Sequence, residues 1–301
     1  MNTTTQRTWA IAALLAGATL VSSCKKEETA TLPAIGGYNA SNDIAPSNLL
    51  ANWTFEGSPN ERISGTAPAN TYGSVNYVTG ASGSGQALNL TTGAVVYPAI
   101  AKLNTADALA SYTISLWVNV KNNKQFFTSF FGLFPTASKE AFGNLSAGAE
   151  TAWFAPNAAA DTLVLKANYK SLMADGNFNG QDNRPDPRAS TPVGVFKGAG
   201  VWSHFVIRFD PNTHLLEIFG NGKSIGAYNN RGVNTVALNM LVPCQAVIGS
   251  LASSDIGFTQ AGPLPAYTTK GTFAIDNIRV YNTPLKDADI SALYQLEAVG
   301  R

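Results

Sequence analysis

Between residues 49 and 281 the chain repeatedly alternates apolar and polar residues with a period of two, and that pattern confines it to β-structure. The clearest run is YTISLWVNV (112–120). Alternation, or enrichment in β-branched and aromatic residues, also marks LLANWTF (49–55), GSVNYV (73–78), QALNL (86–90), KQFFTSFFGLF (124–134), TAWFA (151–155) and TLVLKANY (162–169). Further runs are WSHFVIRFD (202–210), HLLEIFG (214–220), KSIGAY (223–228), AVIGS (246–250) and FAIDNIRVY (273–281). DPNT and GNGK supply the Pro, Asn and Gly of tight hairpins, so the three strands from 202 to 228 should form an antiparallel meander. One helix is expected, over PLKDADISALYQLEA (284–298), with Asp287 or Asp289 as cap and Ile290, Leu293, Tyr294 and Leu296 as its apolar stripe. The expected fold class is all-β: a two-sheet antiparallel β-sandwich with a short C-terminal helix. No Pro- or Gly-rich linker and no repeat divides it, so residues 49–301 read as one domain.

The beginning of the chain follows different rules. Arg7 precedes the apolar run Trp9 to Val21, which is too short for a stop-transfer helix and fits a signal-peptide core, so residues 1–23 are excluded from the fold. Val21-Ser22-Ser23-Cys24 resembles a bacterial lipobox, which implies that Cys24 is lipidated and becomes the first mature residue. Lys25-Lys26-Glu27-Glu28 resembles the export signal of Bacteroidetes surface lipoproteins, which implies an outer-membrane, cell-surface location. Residues 24–48, small, polar and broken by Pro33, Gly36, Gly37 and Pro46, read as a flexible tether. Cys24 and Cys244 are the only cysteines, so lipidation of the first leaves Cys244 without an intrachain partner, as a buried thiol on or beside a strand.

LLANWTFEGS, GQALNLT, SYTISLWVNV, GVWSHFVIRFDPNTHLLEIFGNGKSIG, AVIGS and FAIDNIRVYNTPLKDADISALY occur in the order found in laminin-G-like, concanavalin A-like jelly-roll domains of bacterial secreted proteins, which the chain resembles over residues 49–297. The most specific part is the ending, a strand carrying IDNIRVYN, a Pro-Leu turn and a short helix. Trp53, Phe55, Trp117, Trp202 and Phe205 read as core or strand-face aromatics of that fold rather than as sugar platforms.

The same fold hosts glycosidases, which need paired carboxylates at short spacing. The Glu-x-Asp-x-x-Glu string is absent, and Glu56, Glu61, Glu140, Glu150, Glu217 and Glu297 each lack a suitably spaced acidic partner. Both histidines, His204 and His214, fall in expected strands, and there is no G-x-S-x-G elbow, so a nucleophilic triad finds no support. Zinc would need more His or Cys. A 13% charged chain of formal net charge +1 has no field to gather polyanions, and nucleic acid is not an expected partner.

Calcium is the metal to consider, as a structural ion, because oxygen ligands are plentiful. The resemblance implies a site where the loop after the first strand meets the acidic residue of the last, here Glu56, Gly57 and Asn60 with Asp276; the chain departs from the usual Asp-x-Ser-Gly by carrying Glu61-Arg62-Ile63-Ser64-Gly65. A second candidate is DGNFNGQDNRPD (175–186), where Asp175, Asn177, Asn179 and Asp186 stand at EF-hand spacing around Gly180, without flanking helices and with Pro185 at the eleventh position. An ordinary solvated loop explains the same residues. That segment lies in the longest weakly patterned stretch, about 170–200, where Tyr169, Phe178, Asn179, Asp182 and Arg184 offer the planar faces and polar groups that sugars require. The expected function is non-catalytic binding of a glycan or glycoconjugate by a surface lipoprotein. A cell-surface protein-binding module, or a glycoside hydrolase with an unrecognised site, remain the alternatives.

Overall fold

The computed structural model describes residues 32–124, 126–149, 159–182, 195–213, 215–229 and 237–301, with 181–182 and 227–229 described by backbone alone. Its strands are β1 (Leu49–Trp53), β2 (Asn70–Thr79), β3 (Gln86–Val96), β4 (Tyr112–Val120), β5 (Thr128–Pro135), β6 (Leu145–Ala149) and β7 (Thr162–Leu172). They continue as β8 (Phe178–Asp182), β9 (Val195–Lys197), β10 (Trp202–Asp210), β11 (Leu215–Gly220), β12 (Lys223–Asn229), β13 (Cys244–Ile248) and β14 (Gly271–Tyr281), and one helix, α1 (Asp287–Ala298), follows.

Pairing runs β12-β11-β10-β4-β14-β3-β13-β5-β6-β7-β8, with β1 added to β14, β2 to β3 and β9 to β7. All the strand pairs are antiparallel. β3 is the corner strand: Leu88–Leu90 pair with β14, and Val95–Val96 pair with β13. The sheet therefore curls on itself, and its front part (β12 to β3) buries a common core against its back part (β13 to β8). In β4 the alternation sends Ile114, Leu116, Val118 and Val120 inward, where they meet Phe131, Leu133, Leu165 and Ala167 of the back part. Trp53 stands edge-on to Tyr97 and Phe131, with ring centroids 5.4 and 5.5 Å away.

The meander is as expected, β10 pairing β11 and β11 pairing β12. Its second turn places Asn221 at φ 48° and Gly222 at φ 74°, the left-handed pair that a two-residue hairpin requires. Cys244 is buried at the start of β13, its thiol directed at the Leu103 carbonyl at 3.4 Å. The expected strand 124–134 begins later, at Thr128, and Phe127 makes only an isolated bridge to Thr268. The expected strand 151–155 and His214 lie outside the described residues, as do Cys24 and the signal segment.

Two expectations change. Neither Asp287 nor Asp289 caps α1: Lys286 holds the N-cap position without a side-chain bond. Both acids remain in the first turn, where the helix dipole favours them, and their carboxylates accept from Arg208 at 2.7 Å and from the Tyr38 hydroxyl at 2.8 Å. The tether is also shorter than residues 24–48, because residues 34–48 pack on the domain. Ile44 is buried in an apolar cluster with Leu285, Ile290 and Leu293, and the Ser41 N–H donates to the Arg301 carbonyl at 3.1 Å. Together α1 and residues 34–48 cover the outer surface of the front sheet around Val206, Phe219 and Tyr281, and among the described residues leave another part of it open.

Candidate functional site

The open part is ordered by strand register. Asn76 pairs with Asn89, Asn89 with Ala274, Ala274 with Asn119, and Asn119 with Trp202, across β2, β3, β14, β4 and β10. Residues directly opposite in an antiparallel pair share a face, so these five form one row perpendicular to the strands. Their chain neighbours Leu88, Leu90, Phe273, Ile275, Val118 and Val120 point into the core, which fixes the row outward. Ala274 puts a small floor at its centre, and Asn89 Nδ2 donates to Asn76 Oδ1 at 2.9 Å. Four residues of the row, Asn89, Ala274, Asn119 and Trp202, line a groove of about 510 Å³ with Val78, Thr79, Thr91, Lys121 and Thr272 alongside and Trp202 half-buried at one end; Asn76 is not part of its lining.

The next row on this face, Asp276, Trp117 and His204, passes beneath the covering elements. Trp117 stacks on Tyr294 of α1, and its Nε1–H donates to Glu297 Oε2 at 2.8 Å. Arg279 Nε donates to the other Glu297 oxygen at 2.6 Å, while its two amino groups reach Asn42 at 2.8 Å and Ser41 at 2.9 Å. His204 Nε2 lies 2.7 Å from Ser115 Oγ, a distance a Ser–His catalytic pair would also show. Both residues are fully buried, however, and Nδ1 has no hydrogen-bond partner where a triad needs a carboxylate. Burial, aided by the nearby Arg279 charge, pushes the His204 pKa down to about 3, so the ring is neutral and structural.

The acidic residues that stand apart in sequence do not all stand apart in space. Glu56, Asp276 and Glu297 line one polar cavity of about 280 Å³ with Arg62, Arg279 and Asn277. A bulge between Asp276 and Arg279, with Asn277 at φ 47°, interrupts the ladder there. Burial above all pushes the Asp276 carboxyl up to about 7; N–H bonds from Ala81 (2.9 Å) and Asn277 (2.8 Å) oppose the shift, and the Glu297 and Glu56 charges add to it. Of the four candidate calcium ligands only Glu56 and Asp276 border this cavity; Gly57 and Asn60 do not. Glu56 Oε2 accepts from the Gln86 N–H at 3.1 Å, so both carboxylates already organise neighbouring loops. The described residues contain no group of three or more His, Cys, Asp or Glu able to hold a metal. Glu61 is a buried loop organiser, accepting from the N–H groups of Asn52, Ile63 and Ser64 at 2.6–2.9 Å.

The described part of the stretch at 175–186, residues 175–182, is a turn followed by a strand. Residues 173–177 are a hairpin turn, closed by the Met173 N–H to the Asn177 carbonyl at 2.8 Å, and β8 begins at Phe178. The two oxygens of exposed Asp175 accept from the backbone and side chain of Asn177, at 3.0 and 2.9 Å. Asn179 sits opposite Ser171, Asp182 opposite Asn168, and Asp186 and Arg184 lie outside the described residues. The alternation of β7 explains why Tyr169 is not a ligand platform: it points inward, 1% exposed, with its ring 4.6 Å from Phe209. Phe178 alone of the proposed rim is a well-exposed aromatic, beside the Lys170–Glu140 ion pair and Leu241 around a pocket of about 350 Å³.

Of the expected core or strand-face aromatics, Trp202 lies half-buried on the open face. Its signal lay in register: only the pairing of β10 with β4 and of β4 with β14 brings it into line with Asn119, Ala274 and Asn89.

A family model described as the concanavalin A-like lectin/glucanases superfamily, of laminin G type, matches residues 89–291. No curated protein matches the chain in sequence. Among solved structures, domain 4 of the GH43 extracellular arabinanase AbnA from Geobacillus stearothermophilus, in complex with arabinotriose, aligns with TM-score 0.50 at 18% identity, covering 82% of this chain and 98% of that one. The receptor-binding domain of botulinum neurotoxin C/D mosaic serotype aligns with TM-score 0.51 at 9% identity, over 83% of this chain and 51% of that one. The botulinum neurotoxin serotype D ligand-binding domain, in complex with N-acetylneuraminic acid, gives 0.50 at 8%, over 85% and 52%. The chain thus spans about half the length of the toxin domains. At these identities the likeness is one of fold.

Proposed function

Because the chain belongs to the concanavalin A-like lectin/glucanases superfamily, we propose that it is a glycan-binding protein of the cell surface, held by a lipid on Cys24 and binding without cleaving. The groove lined by Asn89, Ala274, Asn119 and Trp202 carries this reading. Amides and hydroxyls both donate and accept hydrogen bonds, as sugar hydroxyls do, and an indole face suits the apolar face of a sugar ring. Sugar-bound structural neighbours, one with arabinotriose and one with N-acetylneuraminic acid, are consistent with glycan recognition on this fold. Binding without cleavage is the reading that fits a groove whose lining, among the described residues, is made of amides, hydroxyls, apolar side chains and Lys121. Lipidation is supported by Val21-Ser22-Ser23-Cys24 and surface export by Lys25-Lys26-Glu27-Glu28.

A glycan array probed with the full chain tests the reading. Binding to at least one polysaccharide, weakened by Trp202→Ala, is the expected result. Failure to bind any plant, host or bacterial glycan would remove it, and hydrolysis of a bound glycan would replace binding by catalysis. Loss of radiolabelled palmitate incorporation on Cys24→Ala tests the anchor.

A further inference from the structure

We propose that the pocket between the β5–β6 connection and the β7–β8 hairpin, on the outer face of the back sheet, binds a small aromatic carboxylate, with its ring against Phe178 and its carboxylate at Lys170 and Lys139. This site is independent of the glycan reading, which concerns the front sheet.

The face follows from alternation. Tyr169 points into the core and Ser171 is fully buried, so Lys170 between them stands on the outer side of β7. Phe178 lies opposite Leu172 and Gly180 opposite Lys170, which places the Phe178 ring on that same side. Phe178 is 45% exposed, so its ring keeps a face that the fold does not cover among the described residues.

The walls are fixed before any ligand arrives. Fully buried Asn144 holds Leu241 by both backbone groups: its Nδ2 donates to the Leu241 carbonyl at 3.0 Å, and its Oδ1 accepts the Leu241 N–H at 2.9 Å. The Asn144 carbonyl also accepts the Lys170 N–H at 2.7 Å, so one residue positions both the lysine strand and Leu241. In the β5–β6 connection the Ser138 N–H donates to the Pro135 carbonyl at 2.9 Å, and Ser138 Oγ donates to the Glu140 carbonyl at 2.7 Å. A preformed wall spares a ligand the entropy of ordering it.

The ligand class follows from the lining. Pro135, Ala137, Leu241 and Phe178 give apolar walls to a space of about 350 Å³, a volume suited to a ligand of low molecular weight. A sugar would lose the hydration of its hydroxyls there without replacement. A flat hydrocarbon ring loses none, and it can stack on Phe178 or stand edge-on to it. Charge at the border selects the other end of the ligand: Lys139 and Lys170 against Glu140 leave a net positive rim. The Lys170 ammonium has three donors, and its ion pair with Glu140 uses one of them. Its side chain is only 25% exposed, and burial lowers its pKa, so this ammonium is short of solvent. A ligand carboxylate supplies a further charged acceptor, whereas an amine would be repelled.

Calorimetric titration of the full chain with phenylacetate, phenethyl alcohol and phenethylamine, which share a ring and differ in charge, tests the proposal, with hexanoate as the acid that lacks a ring. Phenylacetate should bind at least tenfold more tightly than each of the other three. Phe178→Ala and Lys170→Met should each weaken it at least tenfold at unchanged melting temperature, because the ring is exposed and methionine keeps an apolar stem; Trp202→Ala should change nothing. Lys139→Ala, at an exposed position, should give a smaller loss and serves if Lys170→Met fails to fold. Equal affinity for the acid and the alcohol would overturn the anionic class, and tighter binding of hexanoate would overturn the aromatic one. No binding of any of the four compounds, or binding indifferent to Phe178→Ala, would remove the site.

Discussion

Trp117 and Glu297 are joined by a 2.8 Å hydrogen bond from the indole N–H to the carboxylate, across the seam where α1 meets the front sheet. Glu297 also holds Arg279, which in turn holds Ser41 and Asn42, so one buried carboxylate ties together the helix, two central strands and the N-terminal segment. Removing one partner of a buried ion pair leaves the other charge uncompensated. Glu297→Ala is expected to cost about 3–5 kcal/mol, read from urea unfolding, with the slope of the transition unchanged. A loss under about 1 kcal/mol would show that Arg279 finds water or another acceptor.

The docking of residues 34–48 predicts where the folded domain begins. A chain starting at residue 49 loses the buried Ile44 and two hydrogen bonds to the Arg279 guanidinium. It should be less stable than one starting at residue 34 by about 4 kcal/mol or more, from about 2 for the side chain and at least 1 for each charged bond. Equal melting temperatures would show that the segment adds nothing.

Asp276 and His204 give the domain an uneven pH profile. The folded Asp276 carboxyl, at about 7, binds its proton more tightly than in the unfolded chain, so its contribution is present below about pH 4 and lost as pH rises through 7. The folded His204 ring, at about 3, binds its proton less tightly, so its contribution is present above about pH 6.5 and lost as pH falls toward 3. Between about pH 4 and 6.5 the two slopes oppose each other; burial also raises the Glu297 carboxyl, which acts in the same sense as Asp276, and once His204 has ceased to titrate stability should fall toward pH 8. In Asp276→Asn, the fall of the urea midpoint above pH 6.5 should be smaller than in the wild type. A wild-type midpoint that does not fall above pH 6.5 would contradict the raised Asp276 carboxyl.

Asn221 serves both its turn and its neighbour, since its side chain accepts the His204 N–H at 2.8 Å while its backbone sits at φ 48°. Asn221→Ala should cost about 1–3 kcal/mol, because a buried donor loses its acceptor and alanine tolerates the left-handed conformation less well. Thermal denaturation measures it, and Asn221→Gly should recover the backbone part alone.

Asp175→Ala should leave the melting temperature in excess calcium unchanged, because the Asp175 oxygens hold Asn177 in a surface turn. Tyr169→Ala should instead destabilise by about 3–5 kcal/mol through a core cavity. A calcium-dependent shift abolished by Asp175→Ala would restore the loop as an ion site.

Most strands, the meander, the helix and the buried Cys244 were legible because each is written in local periodicity or turn chemistry. DGNFNGQDNRPD left an ion loop and an ordinary solvated loop both open, because an EF-hand spacing says nothing about backbone pairing, and here Phe178–Asp182 belongs to a strand. The cap of α1 misled because Arg208, distant in sequence, competes for the Asp287 carboxylate. The burial of Tyr169 and the partial exposure of Trp202 were not legible for a related reason: a local pattern marks both as strand residues, but burial on either face depends on what covers that face.

The sequence by itself determined that this chain curls an antiparallel sheet around an apolar core, since alternation leaves one face of each strand no other way to escape water. Only the tertiary structure decided which part of the outer face is closed and which open. That depended on contacts between residues more than a hundred positions apart, Trp117 with Glu297 and Arg279 with Ser41, which seal one part and leave Asn89, Asn119 and Trp202 facing solvent in register.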